Sequence, residues 1–325
     1  MAKLTIIEAV NQALHQEMES DKRVLVMGED VGVDGGVFRA TDGIYKKFGP
    51  KRALDTPLSE AGIIGTAIGM ALYGLKPVAE IQFTGFMYLG LNQLISHAAK
   101  MRNRTRGRYT ASIVVRTPHS GGFKALEHHG ESTESFYIHT AGLKVVMPST
   151  PYDAKGLLIS AIRDPDPVIF LEPTRLYRAI REEVPEKPYA IPLGLAKIAK
   201  DGDDVTVVTW GTMVRPSLEA ANAAEKNGIS TEVIDLRTLS PFDEAAVIKS
   251  VEKTGRLIIV HEANKTLGFG SEISARVNEK ALLSLQAPII RVTTPDAPYP
   301  LFKLEDSYIP NSKKILDAIN KVAKF

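Results

Sequence analysis

Asp204-Val-Thr-Val-Val-Thr-Trp210 is an apolar run that ends at Gly211, and Ser217 to Asn227 is a stretch rich in Ala and Glu closed by Gly228. Ser230-Thr-Glu-Val-Ile-Asp235 follows, then Phe242 to Lys253 closed by Gly255, then Arg256-Leu-Ile-Ile-Val260. The apolar runs predict buried strands, and the Ala-rich stretches predict helices stopped by glycine at their C-terminal ends. Strands separated by helices of this length make a parallel sheet covered on both faces. The fold class is therefore α/β, doubly wound.

The same alternation runs back toward the N-terminus. Thr5 to Ser20 predicts a helix, Val24-Leu-Val-Met27 a short buried strand before Gly28-Glu-Asp30, and Ser59 to Tyr73 a helix with small residues at 62, 65 and 69. Those small residues would let it approach another backbone closely. Lys76 to Phe83 and Ser112-Ile-Val-Val-Arg116 predict strands on either side of a helix over Met87 to Met101. Lys144-Val-Val-Met147, Pro151 to Ile162 and Pro167-Val-Ile-Phe-Leu171 form one more strand–helix–strand unit. Between the two regions, Glu183-Val-Pro185-Glu-Lys-Pro188-Tyr-Ala-Ile-Pro192 holds three prolines in eight residues and reads as an extended linker. At about 150 residues per domain, 325 residues make two domains: 1–182 and 197–325, joined by 183–196.

Composition removes several function classes. There is no cysteine, so disulfides, thiolate metal sites and Cys nucleophiles are excluded. A formal charge of only +2 gives little field for gathering nucleic acid. The uncharged stretch from Ala61 to Leu75 is 15 residues long, below the roughly 20 a membrane span needs. No signal core follows Met1, and a cytoplasmic location is expected.

Four stretches are candidates for chemistry. Gly268-Phe-Gly270-Ser-Glu-Ile273 lacks the third glycine of a dinucleotide fingerprint, and it follows His261-Glu262-Ala263-Asn264 instead of abutting the strand. Four of seven histidines, His119, His128, His129 and His139, fall within 21 residues, together with Glu127, Glu131 and Glu134. A polar loop, a zinc site of a hydrolase and an acid/base histidine all fit that composition. Glu60, in Asp55-Thr-Pro-Leu-Ser-Glu60, begins an apolar helix. It either complements the helix N-terminus, or is a buried acid with a raised pKa that exchanges a proton with a ligand. Gln82-Phe83-Thr84-Gly85-Phe86 follows a strand at the edge where ligands of parallel sheets bind.

Taken together, these segments resemble the beta subunit of the thiamine-diphosphate-dependent first component of 2-oxo acid dehydrogenase complexes, a transketolase-like family. The resemblance spans essentially the whole chain. Its stretches are Met27-Gly-Glu-Asp-Val-Gly32, Asp55-Thr-Pro-Leu-Ser-Glu60, Ala79-Glu-Ile-Gln-Phe83, Val115-Arg-Thr-Pro118, Pro148-Ser-Thr-Pro-Tyr-Asp-Ala-Lys-Gly-Leu-Leu158 and Phe170-Leu-Glu-Pro173. Leu176-Tyr-Arg178, Asp235-Leu-Arg-Thr-Leu-Ser-Pro241 and Val251-Glu-Lys-Thr-Gly255 continue it. It implies a pyrimidine-type thiamine-diphosphate-binding domain followed by a transketolase C-terminal-like domain.

The resemblance also implies roles. Glu60 matches the glutamate that hydrogen-bonds the aminopyrimidine ring of thiamine diphosphate and promotes loss of the thiazolium C2 proton. Phe86 falls where the family sets an aromatic against that ring, with Gln82 nearby. His129 matches a histidine that faces the substrate and helps pass the acyl group to lipoamide, and His128 is its rival. A structural potassium ion is implied at the carbonyls of Ile113, Ala161, Ile162, Asp164 and Asp166.

The Gly-Asp-Gly that holds Mg²⁺ and diphosphate in self-sufficient thiamine enzymes is missing. An alpha subunit is therefore expected to bind that end of the cofactor, in a heterotetramer of two alpha and two beta chains active only when assembled. The glycine-spaced helix 60–73 would serve the interface, and the C-terminal domain would dock the lipoyl-bearing acyltransferase core. The run Ala125-Leu-Glu-His-His-Gly-Glu-Ser132 looks closer to branched-chain members. Branched-chain 2-oxo acids are thus the expected substrate and pyruvate the alternative; a non-catalytic scaffold subunit is the rival of a different class.

Overall fold

The computed structural model describes residues 2–325, and the chain divides into two units. The first holds the residues up to His119 together with 136–193; the second holds 120–135 together with 194–325.

Six apolar runs of the first unit become parallel strands: β1 (Val24–Gly28), β2 (Ala53–Asp55), β3 (Lys76–Glu80), β4 (Val114–His119), β5 (Lys144–Val146) and β6 (Val168–Pro173). Their order across the sheet is β5-β6-β4-β3-β1-β2. Strands β1, β4 and β6 are buried at every residue, as strands covered on both faces must be. Helices α1 (Ile6–Ser20) and α4 (Pro151–Arg163) pack together over a core that includes Leu14, Leu157, Ile162 and Phe170. Each such side chain contributes about 1.5–3 kcal/mol by leaving water. Thr5 and Glu8 close a reciprocal capping box on α1, and Thr150 caps α4 ahead of Pro151.

Helix α2 (Glu60–Leu72) lies against α3 (Met87–Gln93). Within the unit, the close approach depends on Gly90 of α3 and not on the small residues of α2. A Cβ on Gly90 would come within 2.3 Å of the Ile64 side chain, whereas one on Gly69 would meet nothing. The helix expected over Met87 to Met101 is broken: after α3 the chain widens into a π-type turn at Leu94–Ala98 and resumes at Met101–Arg104.

The second unit is a five-stranded sheet of β7 (Lys197–Lys200), β8 (Val205–Thr209), β9 (Thr231–Asp235), β10 (Leu257–Asn264) and β11 (Ile290–Thr294), in the order β11-β10-β8-β9-β7. Only the edge strand β7 is antiparallel. Its helices are α5 (Val214–Glu225), α6 (Glu244–Thr254), α7 (Phe269–Ala281) and α8 (Ser312–Val322). Gly255 ends α6 at φ 68°, the left-handed conformation that lets the chain turn straight into β10. Strand β10 runs to Asn264, so His261 and Glu262 belong to the strand and not to a loop after it.

The proline-rich segment is extended, as its prolines require, but it is pinned to the first unit. Glu182–Val184 pairs antiparallel with Ala2–Leu4, and Lys155 Nζ donates to the carbonyls of Pro185, Glu186 and Lys187. Among the described residues, no helix is long and apolar enough to cross a membrane.

Candidate functional site

In a parallel sheet, ligands bind beyond the strand C-termini where the strand order reverses. In the first unit that point lies between β1 and β3, because the chain steps from β1 out to β2 and then returns to the other side. Glu29 and Asp30 leave β1 there, and Glu80 and Gln82 lie at the end of β3.

Glu60 opens α2 and is 4% exposed. The cap is made by Ser59, whose side chain accepts from the Gly62 amide at 3.3 Å, so Glu60 is not spent on capping. Among the described residues its carboxylate receives no hydrogen bond. Glu29, buried beside it, has its carboxyl pushed up, first by burial and then by the charges of Glu60 and Asp30. Gln82 Nε2 donates to Asp30 Oδ2 at 3.0 Å. Phe86 is half-buried in the turn Thr84–Phe86, edge-on to Phe83 at 5.7 Å between ring centroids. Glu60, Gln82 and Phe86 therefore all belong to this unit, with Gln82 tied directly to its crevice.

Below the crevice is a buried ionic network that the sequence reading did not single out. Arg116 of β4 donates through Nε to Glu172 Oε1 at 2.8 Å, through Nη2 to Glu172 Oε2 at 2.7 Å, and through Nη1 to Glu80. Tyr177 donates to Glu172. Burial opposes the Arg116 charge, but Glu172 and Glu80 hold it ionised above its ordinary value. Burial pushes the Glu80 carboxyl up against the pull of Arg116, since two carboxylates share one guanidinium. The signal in the sequence was an arginine ending the otherwise apolar run Ser112–Arg116.

The four histidines are divided between the two units. His119 is fully buried at the end of β4 and His139 is exposed, both in the first unit, while His128 and His129 belong to the second. Burial alone drops the His119 pKa to about 3. Among the described residues no group of three His, Asp or Glu side chains is placed to hold a metal ion. His128 and His129 sit in a single 3₁₀ turn, Glu127–His129, where the His129 amide donates to the Leu126 carbonyl at 3.0 Å. His128 is exposed, with Nδ1 3.8 Å from Glu131 Oε1. His129 is half-buried.

The expected potassium positions are the C-terminal end of α4 and the strand beside it. The Asp164 amide caps the Ala161 carbonyl at 3.3 Å, the Val168 amide takes that of Ile113 at 3.0 Å, and Ser112 Oγ takes that of Asp164 at 2.8 Å. The side chains are already paired, Asp164 with Lys144 and Asp166 with Arg102. Only carbonyl lone pairs remain there for a cation. The glycines of the weak dinucleotide pattern have a packing role instead: a Cβ on Gly268 or Gly270 would lie 2.5 or 2.8 Å from the His261 ring.

Comparison with known proteins gives the family. Residues 2–180 match the family described as transketolase, pyrimidine binding domain, and residues 194–315 match transketolase, C-terminal domain. Over 324 residues the chain is 52% identical to the pyruvate dehydrogenase E1 component subunit beta of Acholeplasma laidlawii, covering 100% of this chain and 99% of that one. It is 51% identical to the same subunit of Bacillus subtilis over 325 residues, with both chains covered completely. A solved structure described as a split gene transketolase, inactive beta4 tetramer, superposes with a TM-score of 0.79 over 99% of both chains. At 21% identity it is similar in fold alone.

Proposed function

This chain belongs to the beta subunits of the first component of 2-oxo acid dehydrogenase complexes, in the transketolase-like superfamily, and on that premise we propose that it oxidatively decarboxylates pyruvate together with an alpha subunit. The enzyme class follows from the relatives. The branched-chain preference expected from the histidine run does not: the relatives at about half identity are pyruvate enzymes, which favours the alternative. Residues 1–182 serve as the pyrimidine-type domain and 197–325 as the C-terminal-like domain in this reading.

One observation carries the cofactor assignment. The crevice of the first unit gathers Glu29, Asp30, Glu60 and Glu80, with Glu60 buried and unbonded. Such a site suits a ring nitrogen that takes up a proton, and it repels a diphosphate. The pyrimidine end of thiamine diphosphate fits here, and its anionic end requires the alpha chain, with Mg²⁺. When bound, the cofactor supplies a nucleophilic carbon and an electron sink for decarboxylation.

Glu60 holds the proton at the pyrimidine nitrogen. Phe86 sets the ring plane, and Gln82, anchored on Asp30, fixes the rim. His129, with His128 beside it, faces the substrate and the lipoyl arm of the acyltransferase core. The carbonyls of Ile113, Ala161, Ile162, Asp164 and Asp166 are offered for potassium. The exposed stripe Gly62, Thr66 and Gly69 on α2 is available to a partner chain in the two-alpha two-beta assembly, and a cytoplasmic location goes with this role.

The test mixes this chain with its alpha subunit, thiamine diphosphate and Mg²⁺, and follows dye reduction with pyruvate and with 3-methyl-2-oxobutanoate. Turnover in the mixture alone, faster with pyruvate, is expected. Turnover faster with the branched-chain acid would reverse the substrate assignment. A stable complex inactive with any 2-oxo acid would leave a scaffold subunit.

A further inference from the structure

The segment from Ser120 to Glu131 leaves one strand end and returns close to where it began, with the Ser120 amide donating to the Glu131 carbonyl at 3.3 Å. It is a compact loop with its ends together, and its tip is the turn that carries His128 and His129. Leu126, Glu127 and His128 are exposed, so the tip has little packing of its own. What holds the loop is unusual in kind: carboxylates on its backbone.

Glu262 Oε1 accepts from the Gly121 amide at 2.5 Å, while Glu262 Oε2 accepts from Thr212 Oγ1 at 2.5 Å. Glu305 Oε1 accepts from the Gly122 amide at 3.0 Å and from the Tyr299 hydroxyl, and Glu305 Oε2 accepts from the Lys124 amide at 3.0 Å. Both acids are nearly fully buried, at 5% and 1% exposure. The Tyr299 ring fills the neck, where a Cβ on Gly121 would meet its hydroxyl at 1.8 Å and one on Gly130 its ring at 2.7 Å. Ser120, Gly122 and Lys124 have φ of 71°, 87° and 59°. Two non-glycine residues in the left-handed region within five positions are conformations that the surroundings must hold in place.

We propose that Glu262 and Glu305 are positioning residues for the reaction, clasping the loop backbone so that the histidine turn is held ready for acyl transfer. This rests on the reading that His129 serves that step. Glu262 and Glu305 grip the loop through its backbone amides and not through the histidine side chains at its tip, and a charged acceptor makes the hydrogen bond to each amide strong.

The experiment compares Glu305→Ala, Glu305→Gln and His129→Ala in the full chain assembled with its alpha subunit. Gln keeps a carbonyl oxygen that can accept from Gly122 and Lys124. Amide exchange at Gly122 and Lys124 should quicken at least about tenfold in Glu305→Ala and recover in Glu305→Gln. Acylation of a lipoyl domain should fall in kcat in Glu305→Ala, with the KM for pyruvate little changed, and recover in Glu305→Gln. Unchanged exchange in Glu305→Ala overturns the clasp, as does lost acylation that Glu305→Gln fails to restore while thermal stability is kept. Full acylation by His129→Ala overturns the histidine reading and leaves the exchange result to judge the clasp by itself.

Discussion

The sheet of the first unit reverses its strand order between β1 and β3, and that of the second between β8 and β10, yet the two crevices are furnished differently. The first is lined by Glu29, Asp30, Glu60 and Glu80, with Arg116 the compensating cation among the network residues. The second is filled. Trp210, 2% exposed, stacks on His261 with ring centroids 5.3 Å apart and planes 11° apart. Its Nε1 donates to Glu134 at 3.3 Å. Glu262, the acid at the equivalent edge, is occupied by Thr212 and the Gly121 amide. One topology therefore serves as a charged receptacle in one place and as a packed anchor in the other. Side chains at strand ends, not strand order, decide which.

Glu60→Gln should have the largest effect. In an acid-lined receptacle, loss of a proton-exchanging carboxylate should lower turnover in the assembled enzyme by about 10²–10⁴-fold. The thermal midpoint should hold or rise, because the change also removes a charge that crowds Glu29. Normal turnover would return Glu60 to the role of a helix-end acid. In the packed crevice the expectation inverts. Trp210→Ala should cost about 3–5 kcal/mol in urea denaturation, as expected for emptying a buried aromatic site.

Two buried groups of that crevice titrate in opposite senses. Burial, aided by Arg291, lowers His261 to about 4, so the unfolded chain takes up its proton first; the stability it contributes is present above pH 6.5 and is lost as pH falls toward 4. Burial raises Glu134 to about 7, so its contribution is present below pH 4.5 and is lost as pH rises toward 7. Relative to wild type, His261→Phe should gain stability on acidification across 6.5 to 4, and Glu134→Gln should gain it on alkalinisation across 4.5 to 7. Each slope should approach about 1.4 kcal/mol per pH unit at most, read from thermal midpoints across pH. Parallel slopes for the two variants would contradict the assignment. The smallest effect belongs to the cap: Ser59→Ala should cost about 1 kcal/mol in stability. It should leave turnover near wild type, which separates capping from the chemistry of its neighbour.

Much of this was legible in the chain. The fully apolar runs could only be strands covered on both faces, and Gly255 could only be read as a helix stop. Glu60 stood out because a carboxylate opening an apolar helix needs a reason. The Arg116 network was harder to see, since Glu80, Arg116 and Glu172 are far apart in sequence and meet only once β3, β4 and β6 are ordered in the sheet. Glu262 and Glu305 were invisible because the loop groups they hold are backbone amides, distant in sequence and without a residue signature.

The α/β class, the division into strands and helices, the missing diphosphate motif and the family could all be read from the chain, because each rests on local pattern or on ordered segments. Folding had to place Lys155 before the proline-rich segment was seen to be pinned, Gly90 and not Gly69 was seen to bring two helices together, and the histidine loop was seen to be held by two buried acids. Those outcomes depend on which groups end up within about 3 Å of one another after the sheets form, and sequence spacing does not encode that distance.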